Sequence, residues 1–161
     1  MAFTMTRGSV RKIHRILADL LANGEADGCL VCDQAGHVLD QVGVGSHDPH
    51  LLSALGAGVF SATRELARIL GEDEFSVVLH QGALRSILLC AVNEDALLGV
   101  IFSSASSVGL VKLYAPLAAD SIRMVLEEAV DGGVEVDAGM QSFVVTEEGD
   151  LFDMEDGSEE E

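Results

Sequence analysis

At 161 residues, 48% of them apolar, the chain has about one domain's length and enough apolar material for a buried core. No apolar run reaches the roughly 18 residues of a membrane span, which excludes a transmembrane protein. Nine basic against 27 acidic residues give a net charge of −18, a sign that repels phosphate backbones and so disfavours nucleic-acid or anionic-membrane binding. The first fifteen residues lack the apolar stretch of a secretory signal, so a cytoplasmic chain is expected. Cys29, Cys32 and Cys90 are too few and odd in number for a disulfide framework.

From Ser9 to Asn23, Val10, Ile13, Ile16, Leu17, Leu20 and Leu21 recur at three- and four-residue spacing, with Gly24 as a stop, which predicts an amphipathic helix. Four of the nine basic residues, Arg7, Arg11, Lys12 and Arg15, cluster at this end of the chain. Two β-prone runs, Cys29–Cys32 and His37–Val42, flank Asp33-Gln34-Ala35-Gly36 and predict a hairpin. Asp48-Pro49 then supplies an N-cap and a first-turn proline for a second helix that ends at Gly71. On a wheel, Leu52, Leu55, Val59, Thr63, Leu66 and Leu70 lie on one side, and Ser53, Ala57, Ser61, Arg64 and Arg68 on the other. Its many small residues, among them Ala54, Gly56, Gly58 and Ala62, let another helix approach closely, at a propensity cost of about 1 kcal/mol per glycine relative to alanine.

Three more β-prone runs follow, Phe75–Gln81, Arg85–Val92 and Leu97–Ser103, with connections too short for crossover helices, so their neighbours must be antiparallel. A last helix is signalled by the serines at 103, 104, 106 and 107 and by Val111, Tyr114, Leu117, Ile122 and Val125; Pro116 inside it predicts a kink or a split. The order is α-β-β-α-β-β-β-α, an α+β fold with a five-stranded antiparallel sheet between helices. The domain is expected over residues 9–130, after a flexible segment 1–8. Residues 131–161 carry twelve acids, no Lys or Arg, and scattered apolar residues, a composition that predicts disorder which folds on a partner.

The chemistry of an active site is not legible in this chain. There is no GxxxxGK[ST] loop, and Gly43-Val44-Gly45 lacks a third glycine at dinucleotide spacing. Cys29 and Cys32 stand three apart in a strand, where they point to opposite faces, and Cys90 alone cannot complete a zinc site. His47-Asp48-Pro49-His50 reads as an N-cap flanked by exposed histidines, His80 as a structural histidine at a strand end, and Glu72-Asp73-Glu74 and Glu127-Glu128 as solvated faces. No GxSxG elbow or EF-hand loop is present, so no catalytic residue, cofactor or metal ligand is assigned.

The element order and four local strings resemble Roadblock/LC7 domains. They are the hairpin Gly28–Leu39, the helix segment Ser53-Ala54-Leu55-Gly56-Ala57, the strand end Leu79-His80-Gln81-Gly82, and Gly109-Leu110-Val111-Lys112-Leu113 at the start of the last helix. Within the family the likeness is to the bacterial MglB type, partners of Ras-like small GTPases of the MglA type, and it spans residues 9 to about 129. The resemblance implies a homodimer in which the third strand pairs with its two-fold mate and the second helix lies beside its copy, with Ala54, Gly58, Ser61, Phe75, Val77 and Leu79 at that interface. It also implies stimulation of GTP hydrolysis by ordering of the GTPase's switch regions, without a catalytic residue from this chain, through a face of Ser53, Ala57, Phe60, Arg64 and Arg68. A role in bacterial polarity and motility is implied with it, with partners concentrating the protein at a cell pole. The alternatives are a non-catalytic scaffold for a GTPase or motor complex and a small ligand-sensing domain.

Overall fold

Thr6 starts the first helix by accepting the Ser9 N–H on its hydroxyl, so that α1 runs Arg7–Gly24 in the computed structural model, which describes residues 5–106 and 108–131. This start is two residues earlier than the periodicity predicts. Gly24 is the last helical residue, and Glu25, at φ 52°, takes the left-handed cap. There follow β1 (Gly28–Asp33), β2 (Val38–Val42), α2 (Pro49–Leu70), β3 (Val77–Gln81), β4 (Arg85–Ala91), β5 (Ala96–Ser103) and α3 (Val108–Asp131). The α-β-β-α-β-β-β-α order is the one predicted. Of residues 131–161, for which disorder is predicted, Asp131 is the last residue of α3, and 132–161 lie outside the described residues.

The strands form one antiparallel sheet in the order β2-β1-β5-β4-β3. Two hairpins are thereby joined through the pairing of β1 with β5, which sets Cys29 opposite Val100 and Val31 opposite Leu98. The β1–β2 turn is shaped by Asp33, whose Oδ1 accepts the N–H groups of Ala35 and His37. Gly36 there has φ 89°, and a Cβ on it would stand 2.6 Å from the Ala54 backbone, so only glycine fits under α2.

Side chains that alternate along each strand feed two apolar layers. On one side, α1 and α3 pack together on the sheet, and Ile13, Leu17, Leu88, Leu98, Phe102, Val111 and Ile122 have no solvent exposure. On the other side α2 is the one helix, among the described residues, over Leu30, Cys32, Leu89 and Leu97, with Phe60 as its main anchor. Cys29 belongs to the first layer and Cys32 to the second, as their spacing requires.

Two predictions are corrected. Pro116 does not split the last helix, which is continuous over Val108–Asp131; the carbonyl left without its helical donor belongs to exposed Lys112, where water can satisfy it. The third strand starts at Val77, so Phe75 precedes it. The acidic run Glu72-Asp73-Glu74 is exposed, and the chain meets the sheet only where the Ser76 carbonyl accepts the Ala91 N–H.

Candidate functional site

Helix α2 is capped at both ends by the predicted residues. Asp48 accepts the N–H groups of His50 and Leu51 at 3.0 and 3.3 Å, Pro49 is the first helical residue, and Gly71 closes the helix at φ 77°. The Asp48 carboxylate is thus occupied in capping, and neighbouring His47 is engaged through Nε2 with Arg85 at 2.6 Å.

The helix presents to the sheet the side that hydrophobicity alone assigns to the outside. Ser53, Ala57, Phe60 and Ala67 are buried against the strands, and Ser53 Oγ donates to the Pro49 carbonyl. Small residues win this position because they let the backbone sit close to the sheet, while Phe60, with half-buried Leu52 beside the same cluster, fills the gap. The docking face predicted from Ser53, Ala57 and Phe60 is therefore corrected: these three side chains are interior in the protomer, only 1%, 8% and 5% exposed.

Of that predicted face the arginines remain at the surface. Arg64 is half-buried, its guanidinium 5.5 Å above the Phe60 ring and one N–H donated to the Glu94 carbonyl at 2.9 Å, so it is held in a defined pose on the flank of α2. Arg68, one turn on, is exposed and pairs with Glu65.

The apolar side points outward. Leu51, Leu55, Val59, Leu66, Ile69 and Leu70 are all exposed, Ile69 by 77%, and together they form the kind of contiguous apolar stripe that marks an interaction surface. Ala54, Gly58 and Ser61, predicted for a dimer contact, are exposed on this side of the helix or its margin. A Cβ on Gly58 would meet nothing within 4 Å, so nothing inside the protomer requires a glycine there. Beside the helix, an apolar groove lined by Leu52, Gly56, Ile87, Leu89 and Gly99 extends the surface toward β4. At the sheet margin β3 pairs, among the described residues, with β4 only, which leaves its other edge open there; Val77 is exposed and Leu79 half-buried. An unpaired edge next to an apolar helix face invites pairing with another chain.

Polar chemistry is sparse around this surface. Burial pushes the thiols of Cys29 and Cys32 up to about 12, with Asp40 and Asp33 respectively adding to the shift, and that of Cys90 up to about 11. These are neutral core thiols rather than nucleophiles. Among the described residues no group of three or more His, Cys, Asp or Glu could hold a metal ion, and no helix is long and apolar enough to cross a membrane. Exposed His80, on β3 opposite Ile87, faces the same margin.

The comparisons with known proteins agree with this geometry. The model of the Roadblock/LC7 domain matches residues 12–102. The fold is similar to the gliding protein MglB of Thermus thermophilus, with a TM-score of 0.73 and 27% identity over 79% of this chain and 97% of that one. Myxococcus xanthus MglB is similar to the same degree, with a TM-score of 0.73 and 29% identity over 78% of this chain and 95% of that one. An uncharacterized protein of Aquifex aeolicus is 28% identical over 105 residues, which make up 63% of this chain and 65% of that protein's length.

Proposed function

We propose that this chain, which belongs to the Roadblock/LC7 domain family and has an MglB-type fold, is a homodimeric regulator of a Ras-like small GTPase of the MglA type. The observation that carries the reading is the outward apolar stripe of α2 beside the open edge of β3. Two copies related by a two-fold axis bury Leu51, Leu55, Val59 and Ile69 against one another and continue the sheet through β3, covering both exposed features at once. Gly58 and Ala62 on that stripe allow the two helices to approach closely.

The dimer sets two α2 flanks side by side, each with Arg64 held over Phe60 and Arg68 beyond it. These arginines meet the GTPase, while Ser53, Ala57 and Phe60 act from beneath, fixing the height and orientation of the flank. The regulator contributes no nucleophile or general base. It stimulates GTP hydrolysis by binding the switch conformation competent for hydrolysis more tightly than the others, since a partner shifts a conformational equilibrium only by its differential affinity.

The test mixes the full chain with the MglA-type GTPase of the same organism, loaded with GDP or a non-hydrolysable GTP analogue, and determines complex masses by light scattering. One GTPase per dimer, formed with the GTP analogue and not with GDP, followed by faster GTP turnover, is the expected result. An intact dimer that binds neither form contradicts the proposal.

A further inference from the structure

Where α2 passes the β1–β2 turn and the start of β5, the three enclose a cleft of about 60 Å³. Its floor is apolar, made of Ala57 and Phe60 of the helix and Ala96 and Leu97 of β5. Its rim is polar, made of Gln34 of the turn and Ser61 and Arg64 of the helix. The walls are tied together: the Gln34 N–H is donated to the Asp95 carbonyl at 3.1 Å, and Arg64 reaches the Glu94 carbonyl at 2.9 Å. The cleft is therefore formed before anything enters it, which spares an occupant the cost of ordering it. Nine residues, about two and a half turns, separate Ser61 from Leu52, so the two point to opposite sides of α2. Leu52 lines the groove toward β4, and the cleft thus opens away from the free edge of the sheet and stays accessible when two copies join there.

Size and rim together choose the occupant. Pockets for nucleotides and other sizeable ligands run to ~300–1,000 Å³, and a cavity that binds benzene measures ~150 Å³. This cleft takes the end of one aliphatic side chain. The rim adds a requirement for negative charge. A guanidinium has five N–H donors; Arg64 spends one on the Glu94 carbonyl and, among the described residues, pairs with no carboxylate although it is half-buried. The acids nearby are placed otherwise. Asp33 holds its own turn and the His37 ring, Glu65 pairs with Arg68, and neither Glu94 nor Asp95 forms an ion pair with Arg64.

We infer that this cleft receives one aliphatic side chain of the GTPase, a Leu, Ile, Val or Met, while an Asp or Glu beside it on the GTPase pairs with the remaining N–H groups of Arg64, an assignment that rests on the GTPase reading proposed above. An apolar anchor seated in a pocket beside an arginine is where the binding energy of an interface concentrates. Phe60 serves both halves of the contact, since its ring lies under the guanidinium at 5.5 Å and also floors the cleft. Ala57 and Phe60, interior in the protomer, meet the partner only through this opening.

Titration of the MglA-type GTPase, loaded with the non-hydrolysable GTP analogue, against the full chain and two variants tests the inference. Ser61→Met lays a flexible side chain over the cleft from its exposed rim, and Arg64→Gln removes the charge. Each variant is expected to bind at least tenfold more weakly, with far-ultraviolet dichroism and dimer mass unchanged. Binding by Arg64→Gln is also expected to depend less on salt than binding by the unaltered chain, because the screened charge pair is gone. With a GTPase carrying labelled Ile, Leu, Val and Met methyl groups, complex formation should displace a methyl resonance through the Phe60 ring, and Ser61→Met should abolish that displacement. Equal binding of the GTP-analogue form by all three proteins overturns the cleft assignment and leaves the GTPase reading standing. An unaltered chain that binds no GTPase overturns both. A lower mass for Ser61→Met alone assigns the cleft to a second copy and overturns the inference as well.

Discussion

The two faces of the sheet are built differently. Under α1 and α3 lies a core whose central members have no solvent exposure, with Leu113, Leu117 and Met124 of α3 left outside it. Over the other face α2 contributes mainly Phe60 and small side chains, and turns its larger aliphatic residues outward. One layer closes its core within the single chain, and the other leaves its larger outer side chains in water. Burial of an apolar side chain is worth ~1.5–3 kcal/mol, so leaving Leu55, Leu66, Ile69 and Leu70 in water is unfavourable unless something covers them.

This contrast predicts unequal responses to the same kind of truncation. Phe102→Ala, in the α1–α3 layer, removes a fully buried ring and is expected to cost ~3–5 kcal/mol of stability in urea unfolding. Leu55→Ala, on the exposed stripe, is expected to cost less than ~0.5 kcal/mol at a dilution where single chains prevail. Equal losses from both would break the contrast.

The α2 flank and stripe are separable in the same way. Arg64→Glu/Arg68→Glu is expected to weaken GTPase binding at least tenfold, about 1.4 kcal/mol, and to leave the dimer intact, as measured by titration and by mass. Loss of both together would place the arginines in the self-contact instead. The smallest effect is expected from Gly58→Ala. Because the new Cβ meets nothing within the protomer, the dilute protein gains up to ~1 kcal/mol of helix stability, while dimer dissociation becomes severalfold easier where the two helices approach. A tighter dimer would show that Gly58 does not mark the close contact.

The elements are readable in the sequence because each carries a local signal. The Asp48-Pro49 cap, the Gly71 stop and the Gly36 turn all stand where local chemistry predicts them. The inward face of α1 is also legible, since Ile13, Leu17 and Leu20 form a single apolar stripe. The same rule fails on α2, where the larger apolar side is the outer one and Ser53, Ala57 and Phe60 are interior. Periodicity reports that a face is apolar, not whether its partner lies in the same chain. The start of β3 is misjudged from sequence because β-prone Phe75 follows three exposed acids that keep the chain off the sheet. Pro116 does not break the helix in two, because a missing donor matters little where the orphaned carbonyl can meet water. The Arg64–Phe60–Glu94 arrangement depends on the β4–β5 turn coming under α2, a contact 30 residues away in sequence that no local pattern announces.

The central claim, that a second copy covers the outer stripe of α2, is tested most directly by the mass of the full chain in solution, with and without Leu55→Glu/Ile69→Glu. Light scattering should give twice the 16.9 kDa of one chain for the unaltered protein, and a single-chain mass with unchanged helix content for the variant. A single-chain mass for the unaltered protein, or a dimer that survives both charges, would contradict it.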